Sequence, residues 1–183
     1  CHIGGGISIS AHLKGKMVDG NDIVGGEGPM APTRCGSVPA IEGAKYTAEH
    51  GLDVARAHCM KTGGFVDLLG TSDAIEVCDR AAAGDKAAAR AWDAMVYQIC
   101  KWIGEMACVL KGDVDGILLG GGMVHSKELV ASIEECCSWI APVSAYPGEF
   151  ELEAMAAGAC RVLDGVEKAL SYSGQPVFSG FDD

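Results

Sequence analysis

The order of patterned segments predicts an α/β fold, a mixed sheet flanked by helices, and three observations carry that expectation. Strand-like and helix-like periodicities alternate as hairpin, helix, helix, strand, helix, strand, helix. Hydrophobic residues make up 49% of the 183-residue chain, with mean hydropathy +0.19, which is enough to bury one good core or two small ones. The 26 glycines fall between these apolar stretches, so they read as turns and points of ligand approach rather than as a linker.

Residues 7 to 13, I-S-I-S-A-H-L, alternate apolar with small polar side chains, the period of a half-buried strand. Lys14-Gly15 supplies a tight turn and Lys16 to Asp19 returns, making a hairpin that hangs from the run Gly4-Gly5-Gly6. From Gly25 to Ala40 glycine and proline are too dense for regular structure, and a loop of that length inside a compact chain tends to be functional. A helix is expected from about Thr47 to Met60, ended by Thr62-Gly63-Gly64. Ser72 or Asp73 then caps another that runs through Arg80.

The clearest element spans 83 to 111. Trp92, Met95, Val96, Ile99, Ile103, Met106 and Leu110 recur at spacings of three and four, the apolar stripe of a long helix packed on a sheet, and Gly112 closes it. A buried strand, V-D-G-I-L-L, breaks on Gly120-Gly121-Gly122 and restarts as a helix. A short strand follows over Ala141 to Tyr146, then a last helix from near Glu149 to about Leu163.

Charge narrows the function. Twenty-five acidic against 14 basic residues give a net charge of −11, and no basic cluster exceeds a pair, so nucleic acid would be repelled. The nine cysteines are odd in number, include no C-x-x-C, and fall largely in apolar helical patterns, as small hydrophobes of a reducing compartment do. The adjacent Cys136-Cys137 makes no metal knuckle by itself. Neither a signal peptide nor a bilayer-spanning run is present, so no membrane partner is expected and the cytoplasm is the expected location. The chain has no initiating methionine and its first residues resemble the end of a strand, which suggests a piece of something longer.

Four constellations could carry chemistry. Around His2, Gly4, Gly5 and Gly6 a strand turns into its hairpin partner, and glycines there leave amide N–H groups uncovered for phosphate oxygens; a purely structural turn is the other reading. A strand follows the glycines where dinucleotide binding needs a helix, which disfavours a redox protein. Arg34, in the loop A-P-T-R-C-G, can present its fork of donors to a phosphoryl group, although many loop arginines are simply solvated. Gly121, Gly122 and Met123 lie where a strand gives way to a helix, the usual ligand position in α/β folds, with Met123 an adaptable apolar wall. Glu149, Glu151 and Glu153 open the last helix; such carboxylates commonly just complement its dipole, and Mg²⁺ bound jointly with nucleotide phosphates is the alternative. The sequence has no H-E-x-x-H, no G-x-S-x-G and no Walker lysine.

These segments together resemble one family, the butyrate kinases, within the acetate kinase group of the acetate and sugar kinase, heat-shock chaperone and actin superfamily. The resemblance runs in order through H-I-G-G-G-I-S, G-E-G-P-M-A-P-T-R-C-G, L-L-G-T-S-D-A, A-M-V-Y-Q-I, V-L-K-G-D-V-D-G-I-L-L-G-G-G-M-V-H-S-K-E-L and I-A-P-V-S-A-Y-P-G-E-F-E, and covers the chain to about residue 163. It implies that residues 1–165 form a ribonuclease H-like lobe, the carboxyl-terminal, nucleotide-binding half of a two-lobed kinase, with 166–183 a tail. It further implies ATP or ADP and Mg²⁺ as cofactors, a short-chain carboxylate or its acyl phosphate as substrate, and a homo-oligomer. By the same resemblance His2, Gly4, Gly5 and Gly6 meet the nucleotide phosphates, and Arg34 stabilises the phosphoryl group in flight. Ser72, Asp73, Gly121, Gly122 and Met123 lie by the nucleoside, and Glu151 helps place the magnesium. Gly5 and Ile75 stand where acetate kinases carry asparagine and arginine, which points to the butyrate branch; Cys35 stands in place of a more usual serine. The competing expectation is a nucleotide-binding fragment that is inactive alone, because one wall of the cleft lies outside the chain.

Overall fold

The computed structural model describes residues 1–174 and divides the chain into two compact units, Cys1–Gly148 and Glu149–Asp183. In the first unit β1 (His2–Ile3), β2 (Ile7–Ser8), β5 (Ile117–Gly121) and β6 (Val143–Pro147) form a four-stranded sheet in the order β2-β1-β5-β6. β1 pairs antiparallel with β2 and parallel with β5, and β5 pairs parallel with β6, so the sheet is mixed as the sequence predicts. A separate ribbon pairs β3 (Ser10–Leu13) with β4 (Lys16–Gly20) across Lys14 and Gly15, whose φ values of 51° and 76° are those of a two-residue type I′ turn.

The expected strand over 7 to 13 is thus two. At Ile9 the residue Asn21 takes the place of a neighbouring strand: its side-chain Oδ1 accepts from the Ile9 amide at 2.7 Å, and its backbone N–H donates to the Ile9 carbonyl at 3.3 Å. The chain leaves the main sheet there and starts the ribbon.

The helices are α1 (Ala40–His50), α2 (Leu52–Ala57), α3 (Phe65–Leu69), α4 (Ala74–Ala82), α5 (Lys86–Val109) and α6 (Lys127–Cys137). Three begin on capping side chains: Asp73 accepts from the Ile75 and Glu76 amides, Asp85 from Ala87 and Ala88, and Ser126 from Leu129. The expected helix over 47 to 60 is corrected. It starts seven residues earlier, behind Pro39, and breaks at Gly51, whose φ of 87° no helix accommodates; a π-helical turn, His58–Thr62, then completes the segment.

α5 is the spine of the unit. Its Ala88, Ala91, Trp92, Met95, Ile99, Ile103 and Met106 are buried, and it packs against α3, α4, α6 and the ribbon. Ile3, Ile7 and Ile9 from the amino-terminal strands and Leu119, Leu129 and Ile133 complete the core, with Phe65 stacked on Trp92 at 6.4 Å between ring centroids. Each such aliphatic side chain contributes about 1.5–3 kcal/mol by leaving water. The strand over 117–121 is buried on one face only: Ile117 and Leu119 point inward while Leu118 is 58% exposed.

The second unit contains α7 (Glu151–Leu163), with Glu151 and Glu153 in its first turn. Arg161 Nε donates to Glu167 Oε1 at 2.7 Å just beyond its end. The expected tail, 166–183, has no regular structure through 174, and 175–183 lie outside the described residues. No helix among the described residues is long and apolar enough to cross a membrane.

Candidate functional site

Because β1, β5 and β6 run parallel, their carboxyl ends share one edge of the sheet. Three features gather there: the glycine bend after β1, the Gly120–Gly122 run in which β5 ends, and Pro147-Gly148, where β6 ends. Gly120 is tied to the first residue of the chain, its amide donating to the Cys1 carbonyl at 2.8 Å. Gly121 exchanges hydrogen bonds with Gly148 at 3.1 and 3.3 Å.

Gly4, Gly5 and Gly6 are the whole connection between β1 and β2, since Ile3 pairs with Ile7. The Gly4 amide donates to the Gly6 carbonyl at 3.1 Å, leaving the Gly5 and Gly6 amides with no hydrogen-bond acceptor among the described residues. A Cβ at Gly5 would meet nothing within 4 Å, so this peptide is open to an incoming ligand. At Gly6 it would strike the Arg34 guanidinium, 2.7 Å from Cζ and 2.8 Å from Nη1. The bend and the arginine, 28 positions apart in sequence, are therefore in direct contact.

The loop that carries Arg34 is fastened on every side. Ala31 and Arg34 exchange backbone hydrogen bonds at 3.0 and 3.3 Å, and the Cys35 amide donates to the His58 carbonyl at 3.3 Å. The Val66 amide reaches the Pro32 carbonyl at 3.1 Å, and the Met30 amide donates to Gln98 Oε1 on α5 at 2.7 Å. Thr33 grips the glycine bend twice, its amide at 3.3 Å and its hydroxyl at 2.9 Å from the Gly5 carbonyl oxygen. Arg34 Nη1 donates to the Ile23 carbonyl at 3.2 Å, while Nε is buried with no hydrogen-bond partner. An unpaired buried donor is costly, about 1–3 kcal/mol, and such groups recur where a ligand supplies the acceptor. Next to it, burial and the neighbouring Cys59, 3.9 Å away between sulfurs, push the Cys35 thiol up to about 11.

The remaining sequence candidates sit as follows. His2 lies on β1 opposite Ser8, at the foot of the bend. Gly121 has φ 98° and presses on β1, so that a Cβ would lie 2.5 Å from the Ile3 carbonyl oxygen; the structure makes it a packing glycine. Gly122 is exposed with nothing near it, and Met123 begins to turn the chain into the core. Beside that turn lies a cavity of about 400 Å³, bounded in part by Val124, His125, Lys127, Val130 and Pro147. Asp73 is engaged as the α4 cap and Ser72 is exposed just before it. α4 touches the start of α6 through Cys78, whose thiol donates to Glu128 Oε2 at 3.3 Å. Glu151 is the first residue of α7, in the second unit.

Sequence reasoning passed over Asn21, Thr33 and Gln98, which hold the bend and the loop in place. Gln98 left a signal, as an amide between Met95 and Ile99 beside the α5 stripe. Asn21 and Thr33 left none, because polar residues in glycine-rich loops are unremarkable.

Residues 1–137 match the model of the acetokinase family. The chain is 46% identical over 173 residues to a probable butyrate kinase of Clostridium botulinum strain Alaska E43, covering 93% of this chain and 49% of the relative. A probable butyrate kinase of Coprothermobacter proteolyticus is 47% identical over the same length, again with 49% of the relative covered. The chain thus spans about half the length of the curated relatives it matches. Among solved structures, Porphyromonas gingivalis acetate kinase superposes with a TM-score of 0.76 at 24% identity, over 88% of this chain and 48% of that one. Entamoeba histolytica acetate kinase gives 0.76 at 19% identity, over 86% and 50%. With its mixed sheet, its glycine bend and these matches, the chain belongs to the acetokinase family.

Proposed function

We propose that residues 1–165 act as the carboxyl-terminal, nucleotide-binding lobe of a two-lobed carboxylate kinase of the cytoplasm, working as a homo-oligomer. The reaction is phosphoryl transfer between ATP and a short-chain carboxylate, butyrate or a branched analogue, giving ADP and an acyl phosphate, or the reverse. The observation that carries this reading is the contact of the buried, unpaired Arg34 Nε with the open glycine bend. The names of the butyrate kinase relatives support the choice of acid.

In this reading the uncovered amides of Gly5 and Gly6 receive the phosphate oxygens, with His2 beside them. A carboxylate oxygen attacks the γ-phosphorus in line as the bond to the ADP oxygen breaks, and its electrons stay with ADP. Charge spread over the equatorial oxygens in between is met by the Arg34 guanidinium, whose fork matches a phosphoryl group. Gly121, Gly122 and Met123, with the adjoining cavity and Ser72-Asp73, take the nucleoside. Glu151, flanked by Glu149 and Glu153, offers the hard oxygen donors that Mg²⁺ takes. Bound there, Mg²⁺ would supply a hard, doubly positive charge.

Two variants test the assignment. Gly5→Ala adds a methyl that meets nothing in the chain, so folding is unchanged and ATP affinity by calorimetry falls about tenfold or more as phosphate approach is blocked. Arg34→Ala, in the two-lobed enzyme, lowers turnover about a thousandfold while ATP binding stays within a few-fold. Near-normal ATP affinity in Gly5→Ala, or near-normal turnover in Arg34→Ala, would remove the phosphate site from the bend.

A further inference from the structure

Away from the glycine edge, three cysteines converge. Cys100 lies on α5, and Cys136 and Cys137 end α6. Their three sulfurs lie within 4.8 Å of one another. Adjacent cysteines on one helix do not ordinarily aim at a common point, since successive side chains are about 100° apart around the axis. Here the tight packing of α6 on α5 brings the third thiol to meet them.

We propose that Cys100, Cys136 and Cys137 form a three-thiolate site for a single thiophilic divalent cation such as Zn²⁺, stapling α5 to α6. Sulfur donors select soft and borderline ions over Mg²⁺ or Ca²⁺. Zn–S bonds of about 2.3 Å in a tetrahedron set sulfurs roughly 3.8 Å apart, so small side-chain rotations of the thiols bring them into range. Access is built in: Cys100 and Cys136 line a cavity of about 270 Å³ open to solvent, whose wall also carries Glu128 and Asp93. Those two carboxylates draw a cation towards the mouth, and the fourth coordination position faces the cavity, where water fills it. Binding exchanges three thiol protons for the ion, and the protons pass to solvent. Cys137 is 1% exposed and Cys136 is exposed, so the site has a buried floor and a solvent-exposed rim.

The test uses the whole reduced chain and Cd²⁺ as probe, because cadmium–thiolate charge transfer absorbs in the ultraviolet and Zn²⁺ competes it away. One equivalent is expected to bind with the intensity of three thiolates and to raise the melting temperature. Cys136→Ser, at an exposed position, should remove about a third of that intensity and weaken binding tenfold or more. The neighbouring sulfurs of Cys35 and Cys59 are the rival site, and Cys35→Ser/Cys59→Ser should leave binding unchanged. In the unaltered chain, Zn²⁺ should protect the exposed Cys136 from alkylation while leaving the exposed Cys108 and Cys160 reactive, read peptide by peptide in a mass spectrometer. Protection of Cys108 or Cys160, a signal insensitive to Cys136→Ser, or no stoichiometric binding overturns the proposal.

Discussion

Replacing Gly6 with alanine separates a catalytic arrangement from a structural one. The added methyl would stand 2.7 Å from Arg34 Cζ, 2.8 Å from Nη1 and 3.0 Å from Nε, whereas carbon atoms in contact prefer about 3.5–4.0 Å. The guanidinium must therefore retreat by about 1 Å. It is the far end of a flexible side chain, and Gly6 does not require a left-handed backbone, so the fold can absorb the change. Loss of the hydrogen bond from Nη1 to Ile23, about 1 kcal/mol, is offset by the 0.4–1 kcal/mol that alanine gains by restricting the unfolded chain. Stability should stay within about 1 kcal/mol of the parent. A catalytic group displaced by 1 Å typically costs about a hundredfold in rate, about 2.7 kcal/mol of barrier. In the proposed two-lobed kinase, hydroxylamine trapping of the expected acyl phosphate should show kcat down about a hundredfold, with KM for ATP moved less than threefold and a thermal melt nearly superimposable on the parent. Turnover within threefold of the parent would refute a role for the Arg34–Gly6 contact in phosphoryl transfer. A collapse of the melt would refute the claim that the Arg34 side chain can yield to the added methyl without loss of the fold.

Gly121→Ala should do the reverse, destabilising by about 3 kcal/mol or more in urea unfolding, because φ is 98° and the methyl meets the immovable Ile3 backbone. The Asp85 carboxyl, held below the usual range chiefly by its hydrogen bonds from Arg80 and also by the Ala88 and Ala87 amides, gives stability that is full above the ordinary carboxylate value near 3.8 and is lost as pH falls through the lowered one. Melting temperatures of the parent and Asp85→Asn should accordingly differ most from pH 5 upward and converge in acid; a gap that widens on acidification would contradict the sign.

α5 was legible because its signal is repetitive: Trp92, Met95, Ile99, Ile103 and Met106 mark one face over many turns, and all five are buried. A cap at Ser72 or Asp73 was legible because capping chemistry is local, and the structure assigns it to Asp73. Gly51 was not, since a glycine inside an apolar pattern is tolerated in a helix as often as it ends one, and only the φ of 87° decides. The site divides the same way. The glycine bend and the Arg34 loop could each be named from composition, yet their contact crosses 28 residues and depends on Thr33 and Gln98, which have no periodic signature. The cysteine cluster was hidden for the same reason: Cys100 joins Cys136 and Cys137 only through helix packing.

The double grip of Thr33 on the Gly5 carbonyl reaches one atom further than the bonds themselves. An amide unit is flat and trans, so an oxygen locked in one direction turns the following N–H of Gly6 the opposite way. The orientation of that dipole is settled when the chain folds, and the phosphate proposed to bind there would meet a donor that has no rotation left to lose.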